Sequence, residues 1–329
     1  MLGPILFLIF YNDFPNVRET GSSVLYADED TDNVSHQDPQ ILQTMIQNEA
    51  NLSIDWVKDN KMVCSGAKTK LMVVGTRELR QTKLNNEIEI NVDGCRVTET
   101  VSERLLGMLM NNTMTWAAHL YGNNESKGLI HKLSQRASLI SKLAKVMPKN
   151  KLKIMAEGIF FSVLNYGIEV YGNVWGNFTF DVHQRCSTAF TKEDNAKLQI
   201  LVNKVLRCIT GSELETSVVE LHEKSQQLSV QQRCAYFSII SIRKVLQREQ
   251  PSYHLSRFLS TQREQHIGTR SRETPRIDFK LSISRCSFFY RSSVLFSCLP
   301  TDLLKVEKLE NFKRRLKEWV RRNISIAPI

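Results

Sequence analysis

The chain has 329 residues, 42% hydrophobic and 24% charged, and is long enough to bury one large core or several smaller ones. This composition excludes a disordered chain, a collagen and a small disulfide-stabilised scaffold. The 44 Lys and Arg outnumber the 34 Asp and Glu. Such a basic balance favours a polyanionic partner, either nucleic acid or an anionic membrane surface.

The charge is distributed unevenly along the chain. Residues 1–50 contain one basic and eight acidic residues, whereas residues 201–329 contain 23 basic and 12 acidic ones. Carboxylates can collect a divalent metal, and a basic surface can bind phosphates. The pattern therefore suits phosphoryl-transfer chemistry on nucleic acid.

The seven cysteines form no Cys-x-x-Cys pair, which predicts that the protein holds no zinc. We expect reduced, buried thiols and an intracellular location, without a distinction between nucleus and cytoplasm. The apolar segment at residues 1–10 has neither a basic leader nor a cleavage site. We therefore expect no signal peptide and no membrane partner.

The first predicted elements are short. An apolar element over residues 1–11 begins abruptly, which suggests that the chain lacks its natural beginning. Residues 22–27 predict a strand, residues 28–30 an acidic turn, and residues 31–34 the return strand of a hairpin.

A helix and two further β elements follow. Asp38-Pro39 predicts the start of a helix that ends at Asn60. The apolar run at residues 70–75 predicts a buried strand. Alternating apolar residues around Asp93-Gly94 predict a second hairpin over residues 88–97.

Helical periodicity dominates after about residue 116. The pattern predicts a series of helices, at residues 116–146, 149–171, 194–210, 225–249 and 306–322. Residues 172–191 are predicted to form a loop. The polar, Arg-rich residues 250–285 are predicted to form a flexible connection. The predicted fold class is α+β, a small sheet region followed by helices.

The sharpest feature is the acidic turn formed by Asp28, Glu29 and Asp30. A hairpin tip brings adjacent carboxylates together, and they repel one another unless a cation offsets the charge. A divalent ion with oxygen ligands would do so. On spacing alone, a solvated acidic turn is the more common explanation. We expect all three residues to be exposed at the hairpin tip.

An ordered series of motifs resembles the reverse transcriptases of non-LTR (LINE-like) retrotransposons. Residues 1–15 resemble motif B, Val24 to Asp28 motif C, and residues 68–75 motif D. Further similar segments follow in the family's order: Leu105-Leu106-Gly107, Thr115-Trp116 with His119, residues 162–176, Phe288-Phe289-Tyr290, Leu299-Pro300 and Phe312-Lys313.

The resemblance implies a polymerase palm, a helical thumb and a basic extension, which we assign to residues 1–112, 113–212 and 213–329. It implies RNA-directed DNA synthesis with an RNA template, a DNA primer and Mg²⁺. Asp28 matches the first aspartate of motif C. Lys68 matches the motif D lysine, proposed to protonate the leaving pyrophosphate, and Lys70 is a nearby alternative.

Two departures from the family pattern matter. The motif A aspartate lies upstream of motif B and has no counterpart in this chain. The second motif C aspartate is either replaced by Glu29 or displaced to Asp30 by an insertion. The resemblance thus makes Asp28, Asp30 and Lys68 the candidate catalytic residues, and Asp28, Glu29 and Asp30 the candidate metal ligands. A longer or displaced carboxylate fits octahedral Mg²⁺ poorly.

We therefore expect a reverse-transcriptase fragment that is inactive alone. The alternatives are a nucleic-acid-binding remnant without catalysis, or a pseudogene product. On the last predicted helix, Lys313, Arg314, Lys317 and Arg321 are candidate nucleic-acid-binding residues. Apolar residues on its other face, including Trp319, are expected to anchor it.

Aromatic residues of the helical region have two interpretations. Tyr166, Tyr171 and Trp175 either stack on bases or, more commonly at such spacing, pack in a core. Trp116 and His119 lie three residues apart. We expect them to pack at the joint between palm and thumb rather than to bind a ligand.

Overall fold

The computed structural model describes residues 2–75, 80, 88–174, 191–247 and 288–326, without the side chains of Phe289 and Tyr290. The chain divides into two compact units. Unit 1 comprises Met1–Met114 and unit 2 comprises Thr115–Ile329.

Unit 1 begins with a short helix and a hairpin. Helix α1 spans Gly3–Phe10, and a 3₁₀ turn follows at Phe14–Val17. Strands β1 (Ser22–Tyr26) and β2 (Glu29–Asn33) pair antiparallel without a bulge, with Tyr26 opposite Glu29. The predicted hairpin is confirmed, and its two-residue turn is tighter than expected.

Helix α2 spans Pro39–Asp59 and starts as predicted. The Asp38 side chain accepts hydrogen bonds from the N–H groups of Gln40 and Ile41, two of the donors that a helix start leaves free. Strands β3 (Glu89–Val92) and β4 (Cys95–Thr98) form the second predicted hairpin. The core of unit 1 joins these elements through a set of buried side chains, Ile54, Leu71, Ile88, Ile90, Val92 and Val97.

Unit 1 differs from the sequence prediction in two places. The predicted strand at residues 70–75 was wrong, because only Leu71 makes a β-bridge, with Glu99 just beyond β4. A third hairpin, β5 (Ser102–Leu105) with β6 (Met108–Asn111), was not predicted. Its turn residues Leu106 and Gly107 have φ values of 46° and 81°; leucine gives no turn signal in a sequence, and Gly107 was the one signal available.

Unit 2 is mainly helical where the structure describes it. Its elements are α3 (Ala117–Tyr121), α4 (Leu129–Leu143), α5 (Lys149–Ala156), a π-helical turn (Glu157–Phe161), α6 (Ser162–Asn165), α7 (Ile168–Tyr171), α8 (Lys192–Thr210), α9 (Val218–Ser225), α10 (Val230–Leu246), α11 (Phe288–Ser297), α12 (Thr301–Leu304) and α13 (Leu309–Asn323). Helix α10 contacts α7, α8, α11 and α13, and most of its side chains are buried.

Two of the predicted helices are broken by glycines with positive φ: Gly122 (φ 93°) ends α3, and Gly167 (φ 68°) separates α6 from α7. The helix predicted to begin at residue 225 begins at Val230 instead, because Gln226 (φ 57°) ends the unpredicted helix α9. The predictions for α8 and α13 are confirmed. The Arg-rich segment at 250–285 and most of the loop at 172–191 lie outside the described residues.

The described residues combine helices with small antiparallel sheets, which confirms a mixed α and β architecture. Among the described helices, none has both the length and the apolar composition that crossing a bilayer requires.

Candidate functional site

The β1–β2 hairpin turns at Ala27 and Asp28. Ala27 has a φ of 55°, and Asp28 is exposed beside it, as is Glu29 at the start of β2. The expectation that Asp30 is equally exposed was wrong, since its side chain is 18% exposed. Alternate strand residues share a face, so Asp30 lies on the same face as Asp32 and opposite Glu29.

Arg18 binds the two carboxylates of that face. Its side chain is 4% exposed, and Nη2 lies 2.6 Å from Oδ2 of Asp30 and 2.8 Å from Oδ2 of Asp32. Nη1 donates to the carbonyl oxygen of Glu49 at 3.3 Å and to the hydroxyl of Ser53. A nearly buried guanidinium thus connects the hairpin to α2.

Burial and hydrogen bonds set the ionisation of the neighbouring carboxylates. Burial raises the pKa of Glu49, but hydrogen bonds from the hydroxyl and N–H of Thr20 and the N–H of Gly21, at 2.6–2.9 Å, outweigh burial and bring the pKa below its ordinary value. Burial and the charge of Asp30 raise the pKa of Asp32 to about 7, although the guanidinium opposes them. Burial also raises the pKa of Asp30.

The predicted metal ligands therefore do not form a single site with three carboxylates. Asp28 and Glu29 lie at the exposed tip, while Arg18 holds Asp30. Within the described ranges, no group of three or more His, Cys, Asp or Glu side chains could hold a metal ion. This arrangement does not fit a Mg²⁺ ion bound by all three residues.

Lys68 and Lys70 are both exposed, and Lys68 lies in a turn where its N–H donates to the Ser65 carbonyl at 3.0 Å. In the part of the chain that the structure describes, no ion pair joins either lysine to the acidic turn. The catalytic role of Lys68 stays a prediction.

Tyr171 is fully buried, and its hydroxyl donates to the carbonyl oxygen of Leu164 at 2.8 Å. The core interpretation is therefore confirmed for Tyr171. The rings of Trp116 and His119 pack against it, with centroids 6.2 and 4.9 Å away. Tyr166 is 55% exposed, and Trp175 lies outside the described residues.

Most of the positive charge belongs to unit 2. It contains 34 Lys and Arg and 18 Asp and Glu, whereas unit 1 contains 10 and 16. Helix α13 is anchored by Phe312, Leu316 and Val320, all fully buried. Trp319 is only half-buried, so it contributes less to this anchor than expected.

The four predicted nucleic-acid-binding residues of α13 have different surroundings. Lys313 is ion-paired at 2.6 Å with a glutamate three residues earlier, and Arg314 is exposed. Arg321 donates to the side-chain oxygen of Gln226. Lys317 is half-buried and has no hydrogen bond or ion pair within the described ranges. Lys313, Lys317 and Arg321 share one helical face at four-residue spacing.

A second basic element was not predicted from the sequence. Residues 126–156 contain eight Lys and Arg and no Asp or Glu, and this acid-free run was the available signal. Lys149 Nζ donates to the Thr210 carbonyl at 3.0 Å, and Lys153 Nζ to the Ser225 carbonyl at 3.3 Å. Both lysines thus bond carbonyl groups that the ends of α8 and α9 leave free.

Three basic side chains converge on the turn at residues 225–227. Lys153 donates to the carbonyl of Ser225. Arg321 donates to the side chain of Gln226, and Arg233 donates to the side chain of Gln227 at 2.6 Å. The Gln227 side chain also donates to the Glu157 carboxylate at 2.5 Å. Burial lowers the pKa of Arg233 to about 10, with Glu157 opposing, so Arg233 is charged at neutral pH.

A cavity of about 330 Å³ lies beside this turn, and its lining includes His222 and Arg321. His222 Nδ1 is 3.0 Å from the carbonyl oxygen of Gln227, which can only accept, so Nδ1 carries the proton. Nε2 is 2.9 Å from the side-chain nitrogen of Gln199. Burial lowers the pKa of His222, which favours the neutral ring that these two hydrogen bonds require.

Comparison of the chain with protein-family models, with curated proteins and with solved structures gave no match.

Proposed function

We propose that this chain is part of a reverse transcriptase of the non-LTR retrotransposon class. The observation that carries the proposal is the ordered series of motifs, in which Asp28, the counterpart of the first motif C aspartate, lies in a tight hairpin turn. On this proposal, unit 1 holds palm residues, and unit 2 holds the thumb and the basic extension.

The activity of this class is RNA-directed DNA synthesis, and we propose that the 329-residue chain does not perform it alone. The chain contains no counterpart of the motif A aspartate, and Arg18 holds Asp30. Loss of a ligand from a two-metal site removes charge stabilisation and alignment, each worth several kcal/mol of barrier.

Primer extension on an RNA template tests this proposal. We expect no template-dependent incorporation with Mg²⁺ or Mn²⁺, and the same result for Asp28→Ala. Incorporation by the wild-type chain that is lost in Asp28→Ala would show that the chain is an active polymerase and would contradict its proposed inactivity.

Nucleic-acid binding without catalysis is the second candidate function, and the excess of 16 positive charges in unit 2 favours it. We expect sequence-independent binding of RNA and DNA that weakens steeply as salt rises, because phosphate contacts release counterions. Fluorescence anisotropy with labelled oligonucleotides measures both properties. Changing Lys313, Arg314, Lys317 and Arg321 together to Ala should weaken binding equally for unrelated sequences. Unaltered affinity in that variant would exclude α13 from the interface.

A further inference from the structure

Lys317 lies among cations that are only partly neutralised. Its charged neighbours are Arg233 from α10, Glu157 from the π-helical turn, Arg321 from its own helix and Lys153 from α5. Glu157 is the carboxylate among these neighbours, so four positive charges face one negative charge around Lys317. Glu223 and Glu318 line the cavity on the side of Arg321. Like charges that converge destabilise a fold unless an anion offsets them.

We propose that Lys153, Lys317 and Arg321 together bind one backbone phosphate of a nucleic acid, with the buried Arg233 adding fixed positive charge beneath them. The inference rests on the proposed nucleic-acid binding and gives it a defined site. It also adds Lys153, from a helix distant in sequence, to a surface otherwise assigned to α13.

Hydrogen bonds and helical spacing bring these groups together, since Lys317 lies one helical turn before Arg321 on α13. Lys153 and Arg321 donate to successive residues of the turn at 225–227, so their side chains meet there. Lys153 and Gln226 are exposed, and Lys317 and Arg321 are half-buried, so a ligand from solvent can reach the group. Lys317 has no partner among the described residues, which leaves its ammonium donors available to a phosphate oxygen.

The electrostatics of Lys317 give the site a distinctive signature. Burial lowers the pKa of Lys317, and Arg233, Arg321 and Lys153 lower it further, while Glu157 opposes them. The charged ammonium is therefore less favourable in the folded protein than in the unfolded chain. Removing this charge should raise the stability of the protein while it weakens phosphate binding. Replacing a lysine that served only to support the fold would not raise stability and weaken phosphate binding at the same time.

The first test compares Lys317→Met with Lys204→Met, which removes an exposed lysine from α8. Affinity for a single-stranded oligonucleotide is measured by fluorescence anisotropy over a range of salt concentrations. One lost phosphate contact should reduce the salt slope by about 0.7 and weaken binding roughly fivefold near 0.1 M salt. Lys204→Met should leave both quantities at their wild-type values.

Two further measurements use the same variants. Lys317→Met should melt at a higher temperature than the wild-type protein at neutral pH. The lowered pKa of Lys317 means that it loses its proton at a lower pH than an ordinary lysine, so wild-type affinity should fall on the way to alkaline pH, before ordinary lysines deprotonate. Lys317→Arg should bind without that fall, since a guanidinium keeps its charge.

The outcomes separate this inference from the proposed function. If wild-type protein binds oligonucleotides and Lys317→Met binds equally well with the same salt slope, the phosphate site is wrong and the proposed binding stands. If wild-type protein binds no oligonucleotide, or binds only vesicles of anionic lipid, nucleic-acid binding fails and the site fails with it. Weaker binding and a higher melting temperature in Lys317→Met support the site.

Discussion

Arg18 changes what the acidic segment of unit 1 can do. One guanidinium contacts Asp30 and Asp32 at 2.6 and 2.8 Å, and both acids lie on the face of the hairpin that Arg18 covers, with side chains 18% and 28% exposed. Their repulsion is therefore offset within the protein, and no metal ion is required to hold the hairpin together. The exposed Asp28 and Glu29 remain as the acids that an external partner could meet.

The raised pKa of Asp32 predicts how stability depends on pH. Its pKa is 3.8 in the unfolded chain and about 7 in the folded protein, so between these values the folded state binds more protons. Stability should therefore fall as pH rises through this window. The Asp32→Asn variant should melt at a higher temperature than wild type near pH 8, and its stability should depend less on pH.

Thermal denaturation followed by circular dichroism from about pH 5 to pH 8 checks this expectation. Asp28→Asn, which neutralises an exposed carboxylate in the same hairpin, is the matched control and should keep the wild-type profile. An Asp32→Asn profile parallel to wild type would refute the ionisation assigned to Asp32.

The sequence indicates the hairpin but not its ion pairs. Alternation and the acidic turn predict two strands around Asp28, because strand periodicity is local information. The contact between Arg18 and Asp30 depends on how the 3₁₀ turn meets β2, which spacing cannot show. For the same reason, Asp30 was expected at the exposed tip with Asp28 and Glu29.

Two glycines let the chain reverse between α3 and α4. Gly122 has a φ of 93°, and a Cβ atom on Gly128 would lie 2.3 Å from the Gly122 nitrogen and 2.4 Å from the Leu120 carbonyl oxygen. Real Cβ atoms do not approach backbone so closely, and backbone cannot rotate away as a flexible side chain can. The connection thus depends on close approach of two backbone segments.

Gly128→Ala should lower the free energy of unfolding by about 1–3 kcal/mol, because the added methyl forces the two segments apart. Gly158→Ala is the matched control, since a Cβ at Gly158 meets open space. This control should raise stability by about 0.5–1 kcal/mol, as alanine replaces glycine within helical backbone. Urea denaturation measures both changes. Equal effects of the two substitutions would contradict the close packing at Gly128.

Helix starts were easier to predict than helix breaks. The side chain of Asp38 accepts two N–H groups at the start of α2, and such capping residues stand out in a sequence. Gly122 and Gly167 lie inside runs of helical periodicity, where glycine is tolerated, so the sequence favoured continuous helices. The structure ends α3 at Gly122 and begins α7 after Gly167.

At the scale of the whole molecule, the charge is divided between the two units. Unit 1 has an excess of six negative charges and unit 2 an excess of 16 positive ones. The asymmetry can be counted directly from the sequence. The convergence of α5 and α13 on the turn at residues 225–227 could not be predicted from the sequence, because packing around α9 and α10 creates it.

This division of charge predicts where a bound nucleic acid protects the backbone from hydrogen exchange. A polyanion is attracted to unit 2 and repelled by the acidic hairpin of unit 1, so protection should be concentrated in α5 and α13. Hydrogen exchange measured by mass spectrometry, with and without an oligonucleotide at constant ionic strength, should show slower exchange in peptides covering Lys149–Ala156 and Leu309–Asn323. Peptides covering Ser22–Asn33 should be unchanged.

Lys317→Met should lose protection in both helices together, because one phosphate bridges them. Protection that appears first in the acidic hairpin would mean that unit 1 forms the interface, and that the charge of unit 2 serves another partner.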